Sequence, residues 1–219
     1  MRNKSKMQIR HASPEDASFL AKAILIAGRA HVKKGIWEVI LGGTEEECIG
    51  FLHYISITQI PHLFHYSYYL IAEEDGVGPI GSLGGYDPRT SGYQALQRAI
   101  PEVITKLNLP TQVSKVSKER SSKILACLPK VIDGTWVIDS VATLPEHRGK
   151  GVAEKLLKKI MEKGEKQGYS QAQVNMYIGN EPALNLYRKF GFEIIEENHD
   201  EYFEKNIGSP GMLSLVRDL

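Results

Sequence analysis

Apolar positions recur at two periods along this chain, and the switches between them mark out its elements. Met7 to Arg10 alternates as a short strand. Ser13-Pro14-Glu15-Asp16 then supplies an N-cap serine, a first-turn proline and acidic residues for the positive end of a helix dipole, and the helix runs on to about Ala27. Thr44 with Glu47 forms a capping-box pattern ahead of Cys48, Phe51, Leu52 and Ile55 at helical spacing. His65 to Ala72 reads as a strand, Asp75-Gly76 as a tight turn, and Pro79 to Gly85 as the returning strand of a hairpin.

From Asp87 to Gly134 the pattern changes to helices at about Ser91 to Leu107 and Ser117 to Leu128, joined by a polar link from Pro110 to Ser117. This stretch reads as a helical insertion at about 87–134 within one domain spanning 1–219. Beyond it come a strand from Thr135 to Thr143, a helix from Gly149 to Gln167, a strand from Gln171 to Ile178 and a helix from about Glu181 to Phe190. Closing strands at Phe192 to Glu197 and Met212 to Arg217 complete a mixed α/β sheet. The second of these is expected at an exposed edge, a route to a homodimer as against a monomer.

Composition narrows the function classes. Lys and Arg total 27 against 26 Asp and Glu, so no net basic field favours nucleic acid as a partner. Cys48 and Cys127 stand far apart and outside any CxxC, which disfavours a disulfide framework or a thiolate zinc site and suits a reducing cytoplasm. The start, MRNKSKMQIRHASPED, has no apolar leader, and the run from Phe19 to Ala27 is too short to span a membrane.

Chemistry concentrates in TWVIDSVATLPEHRGKGVA, Thr135 to Ala153, where an apolar strand passes through a proline turn into a glycine-rich helix start. The first amides of a helix lack intrahelical partners, so such a junction can hold a pyrophosphate. Gly149 and Gly151 permit close approach, and Arg148 and Lys150 add positive charge. The helix behind is amphipathic, with Val152, Leu156, Leu157, Ile160 and Met161 on one side and Glu154/Lys158 as an exposed pair.

Arg148-x-x-Gly151-x-Ala153 resembles the acyl-CoA-binding signature of the GCN5-related N-acetyltransferase (GNAT) family. Asn180-Glu-Pro-Ala183-Leu-Asn-Leu186-Tyr187-Arg-Lys-Phe190-Gly191-Phe192 resembles that family's later helix, at a spacing that also fits. The resemblance implies a mixed, mostly antiparallel twisted sheet flanked by helices. It also implies acetyl-CoA as co-substrate, with no metal, and transfer of acetyl to a primary amine by direct attack in a ternary complex. The backbone of Val141, Ala142 and Thr143 should then pair with the pantetheine arm through a splay in the sheet. Arg148, Gly149, Lys150, Gly151, Val152, Ala153 and Glu154 should wrap the pyrophosphate. Asn180 should hold the cofactor, cap its helix, or do both.

Two proton steps need residues. Tyr187 is the candidate acid for the departing thiolate, on the reading that its phenol pKa of about 10 lies above that of a thiol at about 8.5; otherwise it is a core aromatic beside Leu184 and Phe190. Asp139 is the candidate base, on the reading that strand alternation puts it on one face with Val141 and Thr143; a hydrogen-bonded structural aspartate and a water relay are the alternatives. Asn175 stands where some relatives carry an acidic base.

Other motifs carry less. Gly76-Val-Gly78-Pro-Ile-Gly81 matches GxGxxG but opens no helix and reads as a hairpin turn. His53, His62 and His65 lack acidic or thiolate companions, the two cysteines read as small core residues, and the aromatic run His62 to Tyr69 reads as filling a twisted sheet. Acceptor recognition is expected from the N-terminal helices and the insertion. A non-catalytic acyl-CoA sensor or partner-docking module is the rival reading.

Overall fold

The computed structural model describes residues 7–219. The polar start at residues 1–6, part of the stretch read above as lacking an apolar leader, lies outside the described residues. Strand β1 (Met7–His11) leads through a 3-10 turn into α1 (Ala17–Arg29), followed by α2 (Ile36–Leu41) and α3 (Glu45–Ile55). The expected capping box opens α3: Glu47 N–H donates to Thr44 Oγ1 (3.2 Å) and Thr44 N–H donates to Glu47 Oε2 (2.7 Å). The hairpin is β2 (Tyr69–Glu74) and β3 (Gly78–Tyr86). His65 to Tyr68 is not part of it: His65 caps a 3-10 turn at Tyr66–Tyr68, with Leu63 and Phe64 packed beneath α1 and α3.

After β3 come α4 (Pro88–Ser91), α5 (Tyr93–Lys106) and α6 (Thr111–Leu125). The expected polar link is helical, and α6 starts at Thr111 because Pro110 sits in extended backbone at its N-cap. Strand β4 (Trp136–Thr143) precedes α7 (Val152–Lys166), β5 (Gln171–Tyr177), α8 (Glu181–Lys189), β6 (Glu193–His199), α9 (Glu201–Ile207) and β7 (Gly211–Asp218). The short helices α2 and α9 escaped the periodicity reading because one or two turns carry too few positions to define a face.

The strands form one sheet in the order β1-β2-β3-β4-β5-β7-β6, with β4 and β5 parallel and every other pair antiparallel. The expected exposed edge at Met212 to Arg217 is corrected by this order. β7 is paired on both sides, by β5 and by β6, which doubles back along it, and the edges are β1 and β6. One face carries α1, α3 and α5 against Ile71, Tyr86 and Val137; the other carries α7 and α8 against Leu83, Trp136, Ile138 and Val174. Gln173 ties the end of the helical stretch to the sheet. Its Nε2 donates to Lys130 O (2.8 Å) and Ser214 Oγ (2.8 Å), and its Oε1 accepts from Ile132 N–H (2.9 Å).

The end of α1 meets the start of α2 at backbone contact. A Cβ on Gly35 would lie 2.0 Å from Gly28 O, and Tyr177 Oη locks the same junction by donating to Gly28 O (2.6 Å) and accepting from Ile36 N–H (3.2 Å). Gly35→Ala is therefore expected to destabilise the protein by about 2–3 kcal/mol. Calorimetry should show this as a melting temperature lower by roughly 5–10 °C.

His62 is buried, bonded to Thr58 Oγ1 (3.0 Å) and accepting from Phe64 N–H (3.1 Å), and burial pushes its pKa down to about 4. The unfolded chain takes up this proton near pH 6.5 and the folded chain does not. The stabilising contribution is complete above pH 6.5 and is lost as the pH falls toward 4. Melts at pH 7.5 and 5 should differ by about 2 kcal/mol from this residue, and His62→Gln should flatten that dependence.

Candidate active site

The site grows from an interruption in the sheet. β4 and β5 pair only over Trp136 to Ile138 with Ala172 to Val174, and beyond Ile138 the two parallel strands separate. On its other side β4 is bulged: Ser82 pairs with Ala142 and Gly84 with Asp139, so Ser140 and Val141 together oppose Leu83. Ser140 takes up the extra residue at φ +51°, in the left-handed region, and its Oγ donates to Asp139 Oδ1 (2.9 Å).

This bulge corrects the face assigned to Asp139. Alternation across it slips by one residue, so Asp139 shares a face with Val137 and Ala142 on the α1 side, while Val141 and Thr143 turn to the α7 side. Loss of solvation raises the Asp139 carboxyl above the usual aspartate range, against a smaller lowering by its bonds from Ser140. Tyr187 comes from the opposite face, on α8, its ring edge-on to Phe192 (centroids 5.7 Å). Burial, with a smaller push from the Asp139 charge, holds its phenol well above the usual value. Among the described residues the Tyr187 hydroxyl has no hydrogen-bond partner. The gap between β4 and β5 opens both side chains onto one cavity of about 1570 Å³.

Of the remaining expected residues, Val141, Ala142, Thr143, Arg148, Ala153 and Asn180 line the same cavity. Leu144 N–H donates to Ile80 O (2.9 Å), which places the alternate groups of Val141 and Thr143 on the side away from β3. Among the described residues, Thr143 Oγ1 and, across the gap, Asn175 Oδ1 are buried without a partner. The sequence singles out Asn175 only as standing where some relatives carry an acidic base. Gly149 and Gly151 have φ of +72° and +76°, so α7 starts at Val152 and not at Gly149. The first α7 bond runs from Lys155 N–H to Gly151 O (3.1 Å), leaving the N–H groups of Val152, Ala153 and Glu154 outside the helical ladder.

Side chains in this loop divide. Arg148 and Lys150 are exposed, with Arg148 Nε donating to Thr143 O (3.4 Å); Val152 is core. Glu154 pairs with Lys189 on α8 (2.8 Å) instead of the expected Lys158. Asn180 precedes α8 without a side-chain capping bond and lines the cavity. The group therefore fits an extended amide-bearing arm ending in phosphates: orphaned acceptors and an unpaired strand stretch lie along the gap, with free amides and two cations at its end.

Cys48 and Cys127 are buried in separate clusters, and burial pushes the Cys48 thiol up to about 11, far from a usable thiolate. Among the described residues no group of histidine, cysteine and carboxylate side chains could hold a metal ion, and no helix is long and apolar enough to cross a membrane.

The family model for the acetyltransferase (GNAT) family matches residues 45–192. The chain belongs to this family. GNAT relatives of known sequence include an uncharacterized N-acetyltransferase, YobR, of Bacillus subtilis, 27% identical over 118 residues that make up 53% of this chain and 44% of that protein. N-alpha-acetyltransferase 50 of Danio rerio is 35% identical over 66 residues, 30% of this chain and 39% of that protein. The chain thus spans less than half the length of these relatives. Among solved structures, an acetyltransferase crystal structure aligns over 96% of this chain and 98% of its own, with TM-score 0.68 and 20% identity. An N-acetyltransferase from Staphylococcus aureus Mu50 aligns over 96% and 100%, with TM-score 0.66 and 20% identity. Both share the GNAT fold.

Proposed function

We propose that this chain is an acetyl-CoA-dependent N-acetyltransferase that passes acetyl directly to a primary amine in a ternary complex. The observation that carries the reading is the gap between β4 and β5, onto which Asp139 opens from one face of the sheet and Tyr187 from the other. Bound acetyl-CoA would supply a thioester carbonyl for the amine to attack. The free amides of Val152 to Glu154, with Arg148 and Lys150, would hold the pyrophosphate, and Val141 to Thr143 with Asn175 would bond the pantetheine amides. Asn180 would hold the arm at the head of α8, its side chain being uncommitted to the cap.

Asp139, raised in pKa by desolvation, would take the proton of the attacking ammonium, directly or through water. An alkylammonium must lose its proton at a cost of about 4–5 kcal/mol at pH 7, which is the reason to keep a base at this point. Tyr187 would protonate the departing sulfur from the far side. Opposite faces suit opposite tasks, since the amine enters where the thiol does not leave. Thiol release from acetyl-CoA, followed over a panel of small amines and peptides, tests the reading. Release that depends on an added amine supports it; acetyl-CoA binding with no release on any amine supports the sensor instead.

A further inference from the structure

We infer that the acceptor is a zwitterionic amphiphile: an amine at Asp139, an apolar body in the chamber beneath α5 and α6, and an anionic group at Arg120. This deepens the acetyl-transfer reading and rests on it. A cavity of about 1570 Å³ exceeds the roughly 300–1,000 Å³ of a pocket for one ligand, leaving room for a second body beside the pantetheine arm. The excess lies on the α1 face beyond Asp139, where Ile40 and Leu41 of α2, Ile100 and Ile104 of α5, and Val113 and Val116 of α6 line it. The same wall also carries polar side chains, Gln97 on α5 and Gln112, Ser117 and Ser121 on α6, so the apolar body lies beside groups that can bond a polar end.

The charges of the chamber are separated. Asp139 is the acid at its inner end. At its outer wall Arg120 lies across Gly42, the left-handed residue closing α2, so near that a Cβ on Gly42 would overlap the guanidinium. Among the described residues Arg120 has no carboxylate partner, and Lys115 and Lys118 line the same wall unpaired. Among the described lining residues Glu47 is the acid at that end, and its Oε2 is engaged by Thr44 N–H (2.7 Å). A negative inner end and a positive outer wall match an ammonium and a carboxylate at opposite ends of an apolar spacer. Arg120 is suited to the carboxylate because its guanidinium offers paired donors.

The test compares ω-amino alkanoates (aminohexanoate, aminooctanoate, aminododecanoate) with alkylamines and α,ω-diamines of equal length, as acceptors for the full chain with acetyl-CoA. The expected result is a kcat/KM rising about fourfold per added methylene, with amino alkanoates ahead of diamines. Arg120→Gln should lower kcat/KM for aminododecanoate at least tenfold more than for dodecylamine. Preference for short polar amines, polyamines or oligopeptides would overturn the inference and leave acetyl transfer standing. So would a chamber used by the donor, seen as faster reaction of octanoyl-CoA with a short amine. If no amine releases thiol, yet aminododecanoate raises the melting temperature and Arg120→Gln abolishes that rise, the chamber stands and the acetyl-transfer reading falls. No release and no rise would overturn both.

Discussion

Tyr187→Phe should lower kcat by about 10²- to 10³-fold while changing acetyl-CoA affinity less than threefold, measured by steady-state thiol release and by titration of binding. The asymmetry follows from the hydroxyl's surroundings. Its ring is fixed by Phe192 and the α7 face, whereas among the described residues the oxygen itself bonds to nothing. Replacing it with hydrogen leaves the packing intact, so the melting temperature should stay within about 2 °C. A second signature belongs to an acid alone: an acetyl donor with a more acidic thiol needs less protonation on leaving, so the variant's deficit should shrink with such donors. Equal loss with all donors would make Tyr187 a structural residue of α8.

Asp139→Asn should lower kcat/KM about 10²-fold near neutral pH and flatten the rising limb of its pH profile. The same substitution should raise the melting temperature. A carboxyl whose folded pKa lies above its unfolded value, near 3.9, contributes stability below that value and loses it as the pH rises through the folded pKa. At neutral pH the parent protein therefore carries a desolvated carboxylate at a cost, and the uncharged amide avoids it. Activity lost together with stability gained is the pattern of a functional group held against its own solvation preference. An unaltered limb would leave proton removal to a water relay. The stability slope from Asp139 is opposite in sign to that from His62, so the His62→Gln melts separate the two.

Local rules reached far into this chain because many of its decisions are local. The Thr44/Glu47 box, the turn before β3, the amphipathic α7 and the strand at β4 were all legible, and each is fixed by residues within a few positions of one another. The two glycine-bearing motifs could be read as one site by their spacing, and Arg148, Ala153, Asn180 and Tyr187 line one cavity. The boundary at Gly149 slipped because left-handed glycines extend a loop into what periodicity counts as helix.

The errors share a physical cause. Asp139 was assigned to the wrong face because strand alternation holds only while pairing is regular, and the bulge at Ser140 arises from the fit of β4 to β3, whose paired residues Ser82/Ala142 and Gly84/Asp139 lie too far apart in the chain for any local window to contain both. The place of β7 between β5 and β6 is likewise a matter of which strands pair, to which burial pattern alone is indifferent. The sequence by itself determined the longer helices and most of the strands, their order, and the residue types available at the head of α7 and along α8. Only the tertiary structure decided that β4 and β5 part beyond Ile138, that a half-buried acid and a buried phenol face one gap from opposite sides, and that Arg120 stands over Gly42. Pairing, bulging and backbone approach are settled by the sum of long-range packing, and that sum is not written at any one stretch of the chain.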